Sequence, residues 1–148
     1  MAISEAPHLV DVVRTTDDKR YDVRRERNVL IPLNDGVSLA ADLYLPDAPG
    51  PFPTLVSYYP YHKDDLIGAF FEYPRQYFAE RGYANLLVDY RGTGGSEGVC
   101  TDTFDTLQEG ADGAEVIEWA AAQPWCNDSV GFGGMSYGGI MSLAVAAQ

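Results

Sequence analysis

Lysine is nearly missing from this chain: Lys19 and Lys63 are the only two, set against 22 aspartates and glutamates. Arginine brings the cations to 10, which leaves a formal charge of −12 and a net field that repels phosphate backbones. Nucleic acid is therefore excluded as a partner. Histidine is almost as scarce, with His8 and His62 alone, so no histidine cluster offers itself to a metal. Cys100 and Cys126 lack CxxC spacing and read as free thiols, buried or partly buried. No apolar run approaches the roughly 20 residues that span a bilayer. The opening Met1-Ala2-Ile3-Ser4-Glu5-Ala6-Pro7-His8 has neither the basic start nor the apolar core of a secretory signal. The expectation is a soluble, cytoplasmic protein with no metal, organic cofactor, nucleic acid or membrane partner.

What remains is an ordinary globular composition. Apolar residues make up 46% and charged residues 22%, enough to bury a core and too balanced for wholesale disorder. Residues 1 to about 22 are polar and aperiodic and read as a lead-in arm. From Arg27 the pattern changes. Asn28 to Leu33 is apolar-rich, Asn34-Asp35-Gly36 signals a turn, and Val37 to Leu45 alternate, which predicts an antiparallel hairpin. A Pro/Gly/Asp connector leads to a buried-type strand at Thr54 to Tyr59 and then the loop Pro60 to Asp65. A short helix is expected over 74–81, with Pro74 in its first turn, Tyr77 and Phe78 inward, and Gly82 closing it. Ala84 to Tyr90 reads as a second buried strand, and Thr106 to Ala122 as a helix with the stripe Ala114, Val116, Ile117, Ala120 and Ala121. Strands alternating with helices predict an α/β fold: an antiparallel edge hairpin, then parallel strands with helices on both faces.

The chemistry concentrates in Ser129 to Ile140. An apolar run ends in Gly134-x-Ser136-x-Gly138, and a small-residue helical segment follows directly. Alone, Gly-x-Ser-x-Gly is a weak pattern. Behind a strand and ahead of a helix it is a nucleophile elbow, in which a strained turn exposes the serine hydroxyl. Gly134 and Gly138 are then the small residues that let strand and helix pass closely. The N–H of Tyr137, first in the helix, is placed to stabilise an oxyanion. A second donor should come from the loop after the 54–59 strand, which holds Tyr61. A phenol keeps its proton at neutral pH and can donate, although a packed loop tyrosine is the plainer alternative. Both histidines precede Ser136, whereas an elbow serine takes its acid and base from later in the chain. His62 reads as an exposed loop residue, Asp89 as a brace for the loop after it, and Arg91 as a structural ion-pair partner. Gly92-x-Gly94 lacks the third glycine of a dinucleotide fingerprint, since Glu97 stands there.

Four motifs then resemble the cocaine esterase / X-Pro dipeptidyl-peptidase family of α/β-hydrolases. They are Asp35-Gly36-Val37-Ser38-Leu39-Ala40-Ala41-Asp42-Leu43-Tyr44, Pro60-Tyr61-His62-Lys63, Asp89-Tyr90-Arg91-Gly92-Thr93-Gly94-Gly95-Ser96-Glu97-Gly98, and Trp125-Cys126-Asn127 leading into Gly134-Met135-Ser136-Tyr137-Gly138-Gly139. The resemblance implies that Ser136 is the acyl-accepting nucleophile, and that the Tyr61 hydroxyl and the Tyr137 N–H form the oxyanion hole. Substrates would be small esters or amides, or X-Pro peptides. It implies residues 1–26 as an arm and 27–148 as the N-terminal half of an α/β-hydrolase domain, ending after the elbow helix. The triad aspartate and histidine, a helical cap and a β-sandwich domain would follow in such an enzyme. The alternative is a non-catalytic half-fold that needs another chain, self-associating through an unpaired sheet edge.

Overall fold

The computed structural model describes residues 19–100 and 106–148, without the side chains of residues 67, 69 and 71–73. Among the described residues, five strands and three helices follow in the order β1 (Val23–Pro32), β2 (Ser38–Pro46), β3 (Phe52–Tyr59), α1 (Leu66–Ala79), β4 (Ala84–Asp89), α2 (Thr106–Ala121), β5 (Cys126–Phe132) and α3 (Tyr137–Ala146). The strands form one sheet in the order β1-β2-β4-β3-β5. β1 and β2 make the expected hairpin, and β2 continues antiparallel onto β4 with Ala41 opposite Val88. β3 lies parallel to both β4 and β5, pairing Tyr58 with Val88 and Val56 with Phe132. The elbow strand β5 is thus the last strand in the order.

Alternation along β3 and β4 sends successive side chains to opposite faces. Val56, Tyr58, Leu86 and Val88 enter the main core with Val116 of α2 and Met141 of α3. Each aliphatic side chain so buried contributes about 1.5–3 kcal/mol. Tyr59 and Leu87 face the other way, toward α1, so both faces are covered. That is why β4 reads as a continuous apolar run rather than an alternating one.

The structure departs from expectation in four places, each with a physical cause. β1 begins at Val23, inside the segment assigned to the arm, while residues 1–18 of that segment lie outside the described residues. β1 is a half-exposed edge strand bearing Arg24, Arg25 and Arg27, with a register shift between Glu26 and Val29, so its charges hide it from a hydrophobic scan. Helix α1 starts at Leu66, and Pro74 lies inside it rather than in its first turn. Proline cannot donate the interior bond, yet tertiary packing prevails: a Cβ at Gly68 would run into the Lys63 carbonyl, so the first turn sits hard against the preceding loop. Inward from α1 point Arg75 and Ala79, while Phe78 is 39% exposed and Tyr77 half-buried. The end of α1 is as expected. Gly82 adopts φ +97°, its N–H reaches Ala79 O and that of Tyr83 reaches Phe78 O, the double bond of a Schellman cap.

On α2 the buried face includes Glu109, Gly110, Asp112 and Gly113 beside Val116 and Ala120, whereas Ala114, Ile117 and Ala121 are only half-buried. Two glycines set that rotation. A Cβ on Gly113 would overlap the Val145 side chain, and one on Gly110 would come within 2.9 Å of the Ala144 carbonyl, so α3 approaches along this glycine face. The last departure is Cys100, which is exposed; Cys126 is buried as expected, and the two are not joined by a disulfide.

Candidate active site

The elbow is assembled from β3 outward. Gly133 donates its N–H to Val56 O at 3.0 Å, and the Ser57 hydroxyl donates back to Gly133 O at 3.1 Å. One step on, the Met135 N–H donates to the Tyr59 hydroxyl at 3.1 Å. Ser136 then takes φ 56° and ψ −119°, and α3 begins at the next residue. For a residue with a side chain such a conformation costs roughly 1–3 kcal/mol, so the surroundings must enforce it. They do so by crowding. A Cβ on Gly134 would lie 2.9 Å from Gly138 Cα and against the Tyr59 hydroxyl, and one on Gly138 would lie 2.6 Å from Tyr59 Cε1. Both elbow glycines are therefore small for the expected reason, with Tyr59 as a third party that the motif does not announce. Ser136 itself is exposed, at the C-terminal end of the parallel strands where α/β sheets bind ligands.

Tyr61 follows β3 by two residues and is half-buried. Its ring stacks on Tyr59, centroids 5.7 Å apart at 23°, and meets the Tyr137 ring edge-on at 6.5 Å. The Pro60–Asp65 loop and the start of α3 are thereby held against each other. Tyr137 turns its ring into the core, where its hydroxyl donates to the Glu109 carboxylate at 2.9 Å. The Tyr90 hydroxyl donates to the same carboxylate at 2.6 Å. Burial, with Glu109 adjoining, pushes the Tyr90 phenol far above its usual range, so it stays a donor. This places the Tyr137 N–H in the first turn of α3, where helix geometry directs donors outward from the N-terminus.

Charged residues brace the loops around this point. Asp89 is buried and accepts the N–H groups of Lys63, at 2.6 Å, and Gly95, at 2.9 Å, so it ties together the two loops beyond β3 and β4. Burial raises its carboxyl above the usual carboxylate range despite those two bonds. Arg91 pairs with Asp112 and Asp35, each at 2.7 Å, which makes it structural. Lys63 carries a fully buried ammonium 3.2 Å from Asp42, which also takes Arg25 at 2.7 Å and the Asn28 N–H. Burial works against the Asp42 charge, yet Arg25, the Asn28 amide and Lys63 together hold its carboxyl below the ordinary value. His62 is exposed, with Nδ1 3.3 Å from Asp65. Its backbone is left-handed at φ 58°.

Behind the elbow, between α1 and the sheet, lies a cavity of about 490 Å³ lined by Leu55, Phe70, Phe78, Met135 and the buried Arg75. Among the described residues, Arg75 Nε and Nη2 have no hydrogen-bond partner. Burial lowers the affinity of that guanidinium for its proton, an effect partly offset by Tyr59 and Tyr44.

Residues 35–148 match the sequence model of the X-Pro dipeptidyl-peptidase (S15) family. The chain belongs to that family. Among its relatives, cocaine esterase from Rhodococcus sp. (strain MB1 Bresler) is 40% identical over 132 residues, a match that takes in 88% of this chain and 22% of the esterase. The chain spans about a fifth of the length of the curated relatives it matches. A CocE/NonD family hydrolase from Staphylococcus aureus superposes with TM-score 0.62 at 27% identity, covering 72% of this chain and 22% of that one. An α/β hydrolase from Penicillium sp. sh18 gives 0.69 at 28% identity, covering 84% of this chain and 42% of its own. The fold is accordingly the N-terminal half of an α/β hydrolase, with the strand order described above.

Of the residues singled out from sequence, Ser136, Tyr137, Gly134, Gly138 and Tyr61 converge on one junction. Tyr59 and Glu109 were missed. Strand alternation places Tyr59 on the face of Ser57, but nothing local signals a partner 76 residues away at Met135. Glu109 looks like a solvent-side helix residue until Tyr90, just after β4, and Tyr137 of α3 meet it.

Proposed function

We propose that this chain supplies the nucleophile and oxyanion hole of a serine hydrolase acting on esters or amides, X-Pro peptides included. The observation that carries the reading is the strained left-handed backbone of Ser136, exposed between β5 and α3 and enforced by Tyr59, Gly134 and Gly138. In the proposed reaction a histidine from further along the polypeptide takes the Ser136 proton while Oγ bonds to the substrate carbonyl carbon. The carbonyl electron pair moves to oxygen, where the Tyr61 hydroxyl and the Tyr137 N–H donate to it. Collapse breaks the bond to the leaving alcohol or amine, which receives the proton. Water then attacks the acyl-enzyme by the same route and frees Ser136. No cofactor takes part.

The family match and the esterase relative support the reaction class, and the contact of the Tyr61 and Tyr137 rings supports the pairing of donors. The test is a fluorophosphonate probe on the protein expressed with the coding sequence that follows Gln148. Labelling should fall on Ser136 and vanish in Ser136→Ala; labelling elsewhere refutes the assignment. A second reading is favoured by β5 standing last in the sheet order. There the 148-residue chain alone is non-catalytic and associates with another chain along that strand. Light scattering on the isolated chain would detect the association, and rapid phosphonylation of an isolated monomer would contradict it.

A further inference from the structure

We infer that Tyr59 is a positioning residue, holding the elbow and the Tyr61 loop in one geometry; the inference rests on the reading of Ser136 as nucleophile. Four contacts converge on this side chain. Its hydroxyl accepts the Met135 N–H at 3.1 Å, one residue before the strained serine. Its ring leaves no room for a Cβ at Gly138, while its hydroxyl does the same at Gly134, so both elbow glycines close on it. Tyr61 is stacked on the same ring at 5.7 Å. The ring is buried at 4% exposure, and the Tyr59 carbonyl accepts the Tyr90 N–H at 3.1 Å, which anchors the Tyr59 backbone to the end of β4.

The physical need is plain. A serine at φ 56° relaxes toward an ordinary turn unless both limbs of the bend are held. The helical limb is held by the Gly139 and Ile140 N–H groups on Ser136 O. Next to the serine, the rising limb is held by the bond to Tyr59. Because the same ring stacks on Tyr61, a shift of the elbow relative to Tyr59 is also a shift relative to the proposed oxyanion donor. A displacement of about 1 Å at such a point can cost on the order of 100-fold in rate.

Tyr59→Phe keeps the ring and removes the hydroxyl, and with it both the acceptor for Met135 and the contact with Arg75. Measured by NMR on the 148-residue chain, exchange of the Met135 amide should rise roughly tenfold, the scale of one lost hydrogen bond. The Ser136 amide resonance should move, while β2 and β4 amides stay put. In the protein that includes the sequence after Gln148, kcat for a p-nitrophenyl ester, taken per active site counted by fluorophosphonate titration, should fall roughly tenfold with KM unchanged, so that a loss of folded enzyme is separated from a loss of rate. Wild-type Met135 exchange and wild-type kcat in Tyr59→Phe would overturn the inference and leave the Ser136 reading standing. Undiminished turnover in Ser136→Ala would overturn that reading, and the inference with it. Should Tyr59→Phe fold poorly, Tyr59→Leu serves instead, because it is smaller than the ring it replaces and presents no acceptor to Met135.

Discussion

Replacing Gly138 by alanine should reverse its effect on stability according to what stands at position 59. With tyrosine present, the new methyl lies 2.6 Å from Tyr59 Cε1, 3.0 Å from Cζ and 3.1 Å from the hydroxyl. Those contacts are too close, so either the buried ring must shift toward the cavity it lines or the first turn of α3 must give. Overpacking of this kind costs about 1–3 kcal/mol. All three of the nearest contacts belong to the Tyr59 side chain, and Gly138 is in a helix, where alanine is better than glycine by up to about 1 kcal/mol. Gly138→Ala should therefore destabilise the wild type by about 1–2 kcal/mol net and be neutral or stabilising in Tyr59→Ala. The coupling between the two positions is then about 1–3 kcal/mol. Urea unfolding of the four proteins in the cycle reads this directly, since 2 kcal/mol moves the midpoint by roughly 1 M at slopes usual for small domains. Equal destabilisation by Gly138→Ala in both backgrounds would refute the argument that Tyr59 is what the elbow glycines make room for.

Other outcomes follow from the same geometry. Tyr61→Phe should lower turnover by about 10²–10³-fold, the scale of one oxyanion donor, with little change in melting temperature; an unchanged kcat removes Tyr61 from the chemistry. Asp42→Asn takes the buried carboxylate from Arg25 and leaves Lys63 its 2.6 Å contact with Asp64, and should cost about 1–3 kcal/mol in urea unfolding. The Asp42 carboxyl is held below its unfolded value of 3.8, so its contribution is complete above that pH and lost as pH falls through the lower folded value. Asp89 runs the other way: raised by burial, it favours folding most below 3.8 and loses that contribution as pH rises through its folded value. An acid titration of stability should accordingly be shallower in Asp42→Asn and steeper in Asp89→Asn than in wild type. Tyr137→Phe removes one donor from the buried Glu109 carboxylate and should cost about 1–3 kcal/mol, measured by thermal melting against Tyr90→Phe as its counterpart.

The features legible in the sequence are those whose cause is local. Asn34-Asp35-Gly36 makes a turn because of its own backbone preferences, Gly82 caps α1 because it alone there takes φ +97° easily, and Gly134 and Gly138 flank a serine that must bend. The apolar runs of β3 and β4 announce a sheet covered on both faces. From these the α/β order, the hairpin and the elbow could be written down before any coordinates. Even Asp89 and Arg91 were placed correctly, since a carboxylate ahead of a glycine-rich loop has amides at hand to bind.

Tertiary structure alone decided the rest, where a residue's surroundings come from far along the chain. Packing of Gly68 on the Lys63 carbonyl carried α1 through Pro74 against its intrinsic preference. The rotation of α2 was set by α3 closing on Gly110 and Gly113, and it buried Glu109 and Asp112 where tyrosine hydroxyls and Arg91 could meet them. Asp42 became an interior anion only because Arg25 and Lys63 arrive from β1 and from the loop after β3. Tyr59 found Met135 across 76 residues. Periodicity and turn chemistry report what a segment prefers by itself; the partner that makes a buried charge affordable, or a strained serine stable, is a matter of which strands lie side by side.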